Sequence, residues 1–336
     1  MAKAKTQISK AQALAADVNK FLGTDAVKMA SDPSLVVEYL PTGVGPMDYL
    51  LNGGIARNRF IELFGGYSVL KSYVGLRAIA TTQANGGVCA LVDTEHAFDP
   101  EWATSLGVDT SALLLPPTAT GEQAIDVTEY LIRQDVDLIV WDSVAATLPQ
   151  TEQKKRLADE NVQPARLAQL MSTGLRKLNA ANSRSAILCI NQTRMNVGIT
   201  FGNPEVAAGG RSLPYYASMR VNMSIAGRNR VQREAVGPDG KMTKVNHVAG
   251  MTIRAKLEKS KLSQPNTEVV FYFDTDSGSV DEIGWQIAQM INDGVILKQG
   301  AMYTYGQNKY RGMEQLRKAI EGAPKTTKKK IVRKKR

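Results

Sequence analysis

From about residue 59 the chain repeats one device: a short, unbroken apolar run followed by a helical pattern. FIELFG, VCALVDTE, ALLLPP, VDLIVWDS and AILCINQ are the runs, with AIDVTEYLIRQ and ARLAQLMSTGLRKLNAA among the segments between them. A strand that alternates apolar and polar residues can keep one face in water, whereas an unbroken apolar strand must be covered on both faces. Continuous strands alternating with helices therefore predict a mostly parallel sheet flanked by helices, an α/β fold. Ligands in such folds bind beyond the carboxyl ends of the strands, so the residues that follow each run are the ones to read for chemistry.

Charge and composition narrow the setting. The chain has 336 residues, 43% of them hydrophobic, which is ample for a core and excludes a wholly disordered polymer. No run reaches the ~18 apolar residues of a membrane span, and MAKAKTQISKAQ has no secretory apolar stretch, so we expect a cytoplasmic protein with no membrane partner. Cys89 and Cys189 lie in apolar runs without metal-type spacing and read as reduced core residues. The formal charge is +10, but eight of the 42 basic residues fall in the last twelve positions, and removing those eight leaves +2. Residues 325–336 thus read as a basic, disordered tail suited to a polyanion such as nucleic acid, or, more blandly, as a solubilising end.

Residues 8–22 place Leu14, Val18, Phe21 and Leu22 on one helical face, with Gly23 as the stop and a polar linker after it. After residue 213, YYASMRVNMSI, MTIRAKLEKS and TEVVFYFD read as further strands of the same sheet. Residues 280–293 form a helical pattern, followed by a hairpin (VILKQGAMYTYG) and a last helix (GMEQLRKAIEG). The expected layout is 1–34 N-terminal helix and linker, 35–278 core, 279–324 small C-terminal domain, and 325–336 tail.

Gly65, Gly66, Tyr67, Ser68, Val69, Leu70, Lys71 and Ser72 connect the first run to a helix, where a P-loop would lie. Backbone N–H groups would wrap phosphates, Lys71 would reach the β/γ oxygens, and Ser72 would offer a hydroxyl to Mg²⁺. Leu70 stands where that motif requires glycine, at a cost of ~1–2 kcal/mol if its backbone is left-handed. On this run alone, a nucleotide site and a plain strand–turn–helix junction stay level. Three other strand tips add to it: Asp142 can hold Mg²⁺ opposite Ser72, though such a strand is common in α/β proteins; Glu95 can activate a water, or else is an ordinary helix-capping acid; and Gln192 can hydrogen-bond a γ-phosphate. His96 and His247 are too isolated to assign.

The stretches VDTEHAFDPEWATSLGVD, TGEQAIDV, VDLIVWDSVAATLP, INQTRMNVGITFGNPEVAAGGRSLPYYASMR and KLEKSKL closely resemble the RecA family of recombinases, in family order, over about residues 10–322. The resemblance implies a RecA-like P-loop ATPase core, an N-terminal helix that docks on a neighbouring protomer and a small α+β C-terminal domain. It also implies a DNA-dependent ATPase that uses ATP and Mg²⁺. Its partners would be single-stranded DNA, homologous double-stranded DNA and further copies of itself in a helical filament.

By this resemblance Glu95 is the catalytic glutamate and Gln192 the γ-phosphate sensor. Asp99 and Trp102 fall at the adenine, Trp102 being otherwise a core aromatic. Lys259 and Lys261 reach a neighbour's ATP; without the resemblance they are a solvated strand edge. The loop 193–209 is implied to bind DNA through Arg194, Asn196, Val197 and Phe201, running into Gly209, Gly210 and Arg211, with an active-site lid as the bland alternative. The other loop matches in place only, offering Lys154, Lys155, Arg156 and Arg166. Leu70 and the basic tail depart from the cellular pattern, and phage-type members tolerate a bulky residue at that loop position. The competing functions are a filament protein that coats DNA without turnover and a ring-forming motor of the same superfamily.

Overall fold

The computed structural model describes residues 2–153, 165–195, 205–236 and 242–322. Contacts divide the chain after Glu38. In the first unit, a helix spans Ala2–Leu22 and a 3-10 turn Pro33–Leu35. The helix begins well before the apolar stripe because AKAKTQ is built from good helix formers that need no buried face. After Gly23 the chain is pinned back on the helix by Asn19, whose side-chain amide donates to the Val27 carbonyl (3.0 Å) and accepts its N–H (2.8 Å).

The second unit is built on a ten-stranded sheet: β1 (Arg59–Gly65), β2 (Cys89–Asp93), β3 (Leu113–Leu114), β4 (Leu138–Asp142), β5 (Ala186–Met195), β6 (Glu205–Ala207), β7 (Met219–Val236), β8 (Met242–Ser260), β9 (Thr267–Asp274) and β10 (Ser279–Val280). Its order is β10-β9-β8-β7-β1-β5-β4-β2-β3, with β6 paired to the end of β5. The block β7-β1-β5-β4-β2-β3 is parallel, and β7 through β10 continue it antiparallel. A mostly parallel sheet flanked by helices is the α/β arrangement expected from the runs, and it fits the RecA-like core that the resemblance implies.

The apolar runs are buried throughout β1, and Phe60, Val92, Trp141 and Cys189 join Ile125, Leu175 and Leu178 from the helices Gly121–Arg133 and Ala165–Ala181 in one core. Cys189 and Cys89 are free and buried, and burial pushes the Cys89 thiol up to about 12, which leaves it inert as a nucleophile. YY of the run after residue 213 lies in the helix Ser212–Tyr216 instead of a strand, because Leu213 packs inward at helical spacing before β7 starts.

Beyond β10, the helix Glu282–Asn292 is capped by Asp281, which accepts the Gly284 N–H at 2.9 Å. A three-stranded antiparallel sheet and the helix Met313–Glu321 follow, closing on Ile287, Ile296, Tyr303 and Leu316. The expected hairpin thus carries a third strand, Asn308–Arg311, which pairs Tyr310 with Tyr303.

Candidate functional site

The segment Gly65–Ser72 leaves the carboxyl end of β1 and enters the helix Lys71–Ala84. Gly65 has φ +150°, and a Cβ there would lie 2.1 Å from the Met223 carbonyl oxygen, so a side chain cannot fit where the loop leaves the sheet. Leu70 occupies the helix N-cap at φ 68°, ψ 21° with no side-chain cap, so it adopts the left-handed turn that the motif normally assigns to glycine. The first-turn N–H groups that follow it have no side-chain cap and could accept an anion. Lys71 is buried and donates to the carbonyls of Gly65 (3.2 Å) and Gly66 (2.6 Å). Burial lowers its pKa, opposed by the charges of Asp142 and Glu95.

Ser72 Oγ donates to Asp142 Oδ2 at 2.6 Å, joining the loop to the tip of β4. Burial pushes the Asp142 carboxyl up to about 6, helped by the charges of Glu95 and Asp93 and resisted by the Ser72 hydrogen bond and Lys71. A hydroxyl facing a carboxylate that lacks a full counter-charge suits a hard divalent cation. No group of three His, Cys, Asp or Glu placed to hold a metal ion is found among the described residues, so such a cation would draw its other oxygens from phosphate and water.

Glu95, just past β2, accepts at Oε1 from Ser143 Oγ (2.5 Å) and from Gln192 Nε2 (2.7 Å). Three strand tips thus meet on one carboxylate. Asp93 accepts the N–H groups of Glu95 (3.1 Å) and Phe98 (3.0 Å), and Thr94 Oγ1 donates to the Ser143 carbonyl (2.6 Å), so the Glu95 turn is held from both sides. Sequence reasoning missed Ser143, Asp93 and Thr94; their signal is their place at or one step past the ends of β2 and β4. Asp99 caps the helix Pro100–Ser105, accepting the N–H groups of Glu101 and Trp102, while Trp102 is 41% exposed with its ring beside Gly278. Tyr67 is exposed on the loop, Val69 is buried and Ser68 has φ 57°.

Lys259 and Lys261 are not brought to this cluster. β7 runs with β1, Met223 opposite Gly65 and Arg220 opposite Glu62; β8 then places Lys259 opposite Arg220. Lys259 is therefore level with Glu62, two strands from β1 and away from the loop. Its Nζ donates to the carbonyls of Pro214 (2.6 Å) and Tyr215 (2.9 Å), and Lys261 Nζ donates to the latter (3.3 Å). Burial, Lys261 and Arg220 all lower the Lys259 pKa, and Glu62 opposes them.

Past Gln192, β5 turns into a ladder with β6, Thr193 opposite Ala207 and Arg194 opposite Val206, and the Ala208 N–H donates to the Gln192 carbonyl at 3.2 Å. Gly209 and Gly210 follow at φ 82° and 76°, and a Cβ on Gly210 would lie 2.8 Å from Ala168 Cβ in the turn that carries the half-buried Arg166. Arg211 is exposed at the start of the helix Ser212–Tyr216. Asn196, Val197, Phe201, Lys154, Lys155, Arg156 and the tail 325–336 lie outside the described residues, and of Arg194 only the backbone is placed.

A mostly parallel sheet whose central strand passes through such a loop into a helix, with carboxylates on the adjoining tips, defines a RecA-like α/β protein. The RecA N-terminal domain profile matches residues 9–275. The chain is 37% identical to Protein RecA of Frankia casuarinae over 315 residues, 92% of this chain and 87% of that one. It is 38% identical over 315 residues to Protein RecA of Thermus thermophilus (91% and 88%), and 39% over 316 to that of Thermus aquaticus (90% and 88%). The chain belongs to the RecA family.

Proposed function

We propose that the chain is an ATP-dependent DNA recombinase that assembles as a helical filament on single-stranded DNA, pairs it with homologous duplex, and hydrolyses ATP when DNA is bound. Family membership supports recombination and repair as the setting. The observation that carries the chemistry is the junction of Glu95 with Gln192 and Ser143, beside Lys71, Ser72 and Asp142.

The first-turn N–H groups after Leu70 would cradle the phosphates, and Lys71 would exchange its two loop carbonyls for β/γ oxygens. Mg²⁺, held by Ser72 and Asp142, would supply charge neutralisation on those oxygens. Both hydrogen bonds to Glu95 fall on Oε1, which leaves Oε2 to orient an attacking water and take its proton. Gln192 is poised to trade Glu95 for a γ-phosphate oxygen. Its carbonyl is bonded to Ala208, so the exchange would be felt at Gly209, Gly210 and Arg211, which we assign to DNA. Asn196, Val197 and Phe201 would complete that contact, with Arg194 and Arg166 on phosphate. Asp99 and Trp102 are assigned to adenine. Lys259 and Lys261, away from their own loop, would neutralise charge on the ATP of the next copy.

The 1–34, 35–278, 279–324 and 325–336 layout is retained as the working domain assignment. No helix among the described residues is long and apolar enough to cross a membrane. The test is ATP hydrolysis with and without single-stranded DNA. Strong stimulation, abolished by Lys71→Ala and by Glu95→Gln, is expected; DNA binding without turnover would replace this reading with a coating protein. Electron microscopy showing closed rings in place of filaments would replace it with a ring motor.

A further inference from the structure

Glu62 is the one acid inside the run FIELFG, and its side chain is fully buried in the middle of β1. It makes two contacts that point in opposite directions across the sheet. On one side Asn191 of β5 donates Nδ2 to Glu62 Oε1 at 3.0 Å; on the other Arg220 of β7 is ion-paired to Oε2 through Nε. Arg220 lies over the Phe64 ring, its guanidinium carbon 4.4 Å from the ring centre.

Each partner reaches a functional element. Asn191 Nδ2 also donates to the Ala208 carbonyl (3.0 Å), and its Oδ1 accepts the Gln192 N–H (2.9 Å), so one amide fixes both the γ-phosphate sensor and the residue that opens the Gly209–Gly210 turn. Arg220 lies opposite Lys259 in the β7–β8 ladder, and Glu62 is the carboxylate that offsets the repulsion Lys259 feels from Arg220 and Lys261. With the Glu62 charge removed, those three cations face one another unscreened and Asn191 loses a charged acceptor.

We propose that Glu62 is a positioning residue that couples the lysine-bearing edge of β8 to Gln192 and the Gly209–Gly210 turn, so that nucleotide and DNA report on each other through it. The inference rests on the recombinase reading above. A purely structural buried ion pair would affect stability alone. A coupling residue must also change a ratio: the factor by which nucleotide tightens DNA binding, equal by linkage to the factor by which DNA tightens nucleotide binding.

The experiment measures the affinity of the full chain for a labelled oligo-dT, without and with a saturating non-hydrolysable ATP analogue, and the analogue's affinity without and with oligo-dT. In Glu62→Gln the coupling factor is expected to fall by about tenfold in both directions, a loss within the usual range of allosteric couplings. Analogue affinity without DNA should stay within about twofold. Arg220→Lys keeps the charge but not the planar fork, and should lose the same factor; it decides the question if Glu62→Gln does not fold. An unchanged factor in the variant that folds, beside an intact factor in wild type, overturns the role of Glu62 alone. A wild-type chain without any coupling overturns the recombinase reading, and this inference with it.

Discussion

The carboxyl ends of the parallel strands and the β7–β8 edge carry opposite charge patterns. At the first, Asp142 and Glu95 face one lysine, Lys71, with Asp93 acting on Asp142; at the second, Arg220 and Lys261 flank Lys259, and the one carboxylate, Glu62, is paired with Arg220. Neither surface is balanced by its own residues, and the register of β7 and β8 keeps the lysines of one copy from its own loop. Two such complementary surfaces on one chain fit a head-to-tail contact between copies, the geometry that propagates as a helix when the rotation does not close. Under the proposed function the two surfaces would be halves of a site that a second copy completes.

The largest expected effect tests that directly. Lys259→Ala with Lys261→Ala should cut DNA-stimulated hydrolysis by about 10³, as loss of a finger residue does. Lys71→Ala should be inert by itself. Equal mixing of the two inactive proteins should restore roughly a quarter of wild-type turnover if contacts form at random between copies, because a quarter of them join an intact loop to intact lysines. No recovery in an ATPase assay would break the comparison and place the lysines in a local role.

A smaller effect, at a residue outside both charge clusters, serves as the control. Asp281 is partly buried, which raises its pKa, but the paired Arg317 and the Gly284 N–H outweigh burial and hold the carboxyl below its ordinary value. A folded-state pKa below the unfolded one stabilises above the unfolded value of 3.8 and is lost as pH falls through the folded value. Asp281→Asn retains a capping side chain but not the charge. It should cost about 1 kcal/mol in urea unfolding at pH 7, with the difference from wild type shrinking below about pH 4 and hydrolysis unaffected. A pH-independent cost would mean that the cap, not the ion pair, carries the effect.

The smallest concerns the loop itself. Leu70→Gly relieves ~1–2 kcal/mol of left-handed strain but adds about 0.4–1 kcal/mol of unfolded-state entropy, a net gain of about 0.5–1 kcal/mol by denaturant titration. Nucleotide affinity should hold or improve slightly; a loss would show that the Leu70 side chain itself holds the site.

Much of this was legible in the residues. FIELFG, VDLIVWDS and AILCINQ became β1, β4 and β5 because a run with no polar face has one way to be buried, and Glu95, Asp142, Gln192 and Ser72 met because strand tips of a parallel sheet share one edge. Asn308–Arg311 escaped notice because only Tyr310 marks it as apolar, too little for a period of two. Glu62 gave no signal either, since its partners Asn191 and Arg220 lie 129 and 158 residues further along the chain.

Apolar periodicity and the eight clustered tail cations are local properties, and by themselves they determined the sheet class and the charge asymmetry of this chain. The level of Lys259 against β1, the left-handed turn of Leu70 and the double grip of Asn191 were decided only in the tertiary structure. The physical reason is that strand register and buried hydrogen bonding depend on which distant segments pair, and a one-residue slip in β8 would turn every one of its side chains to the other face.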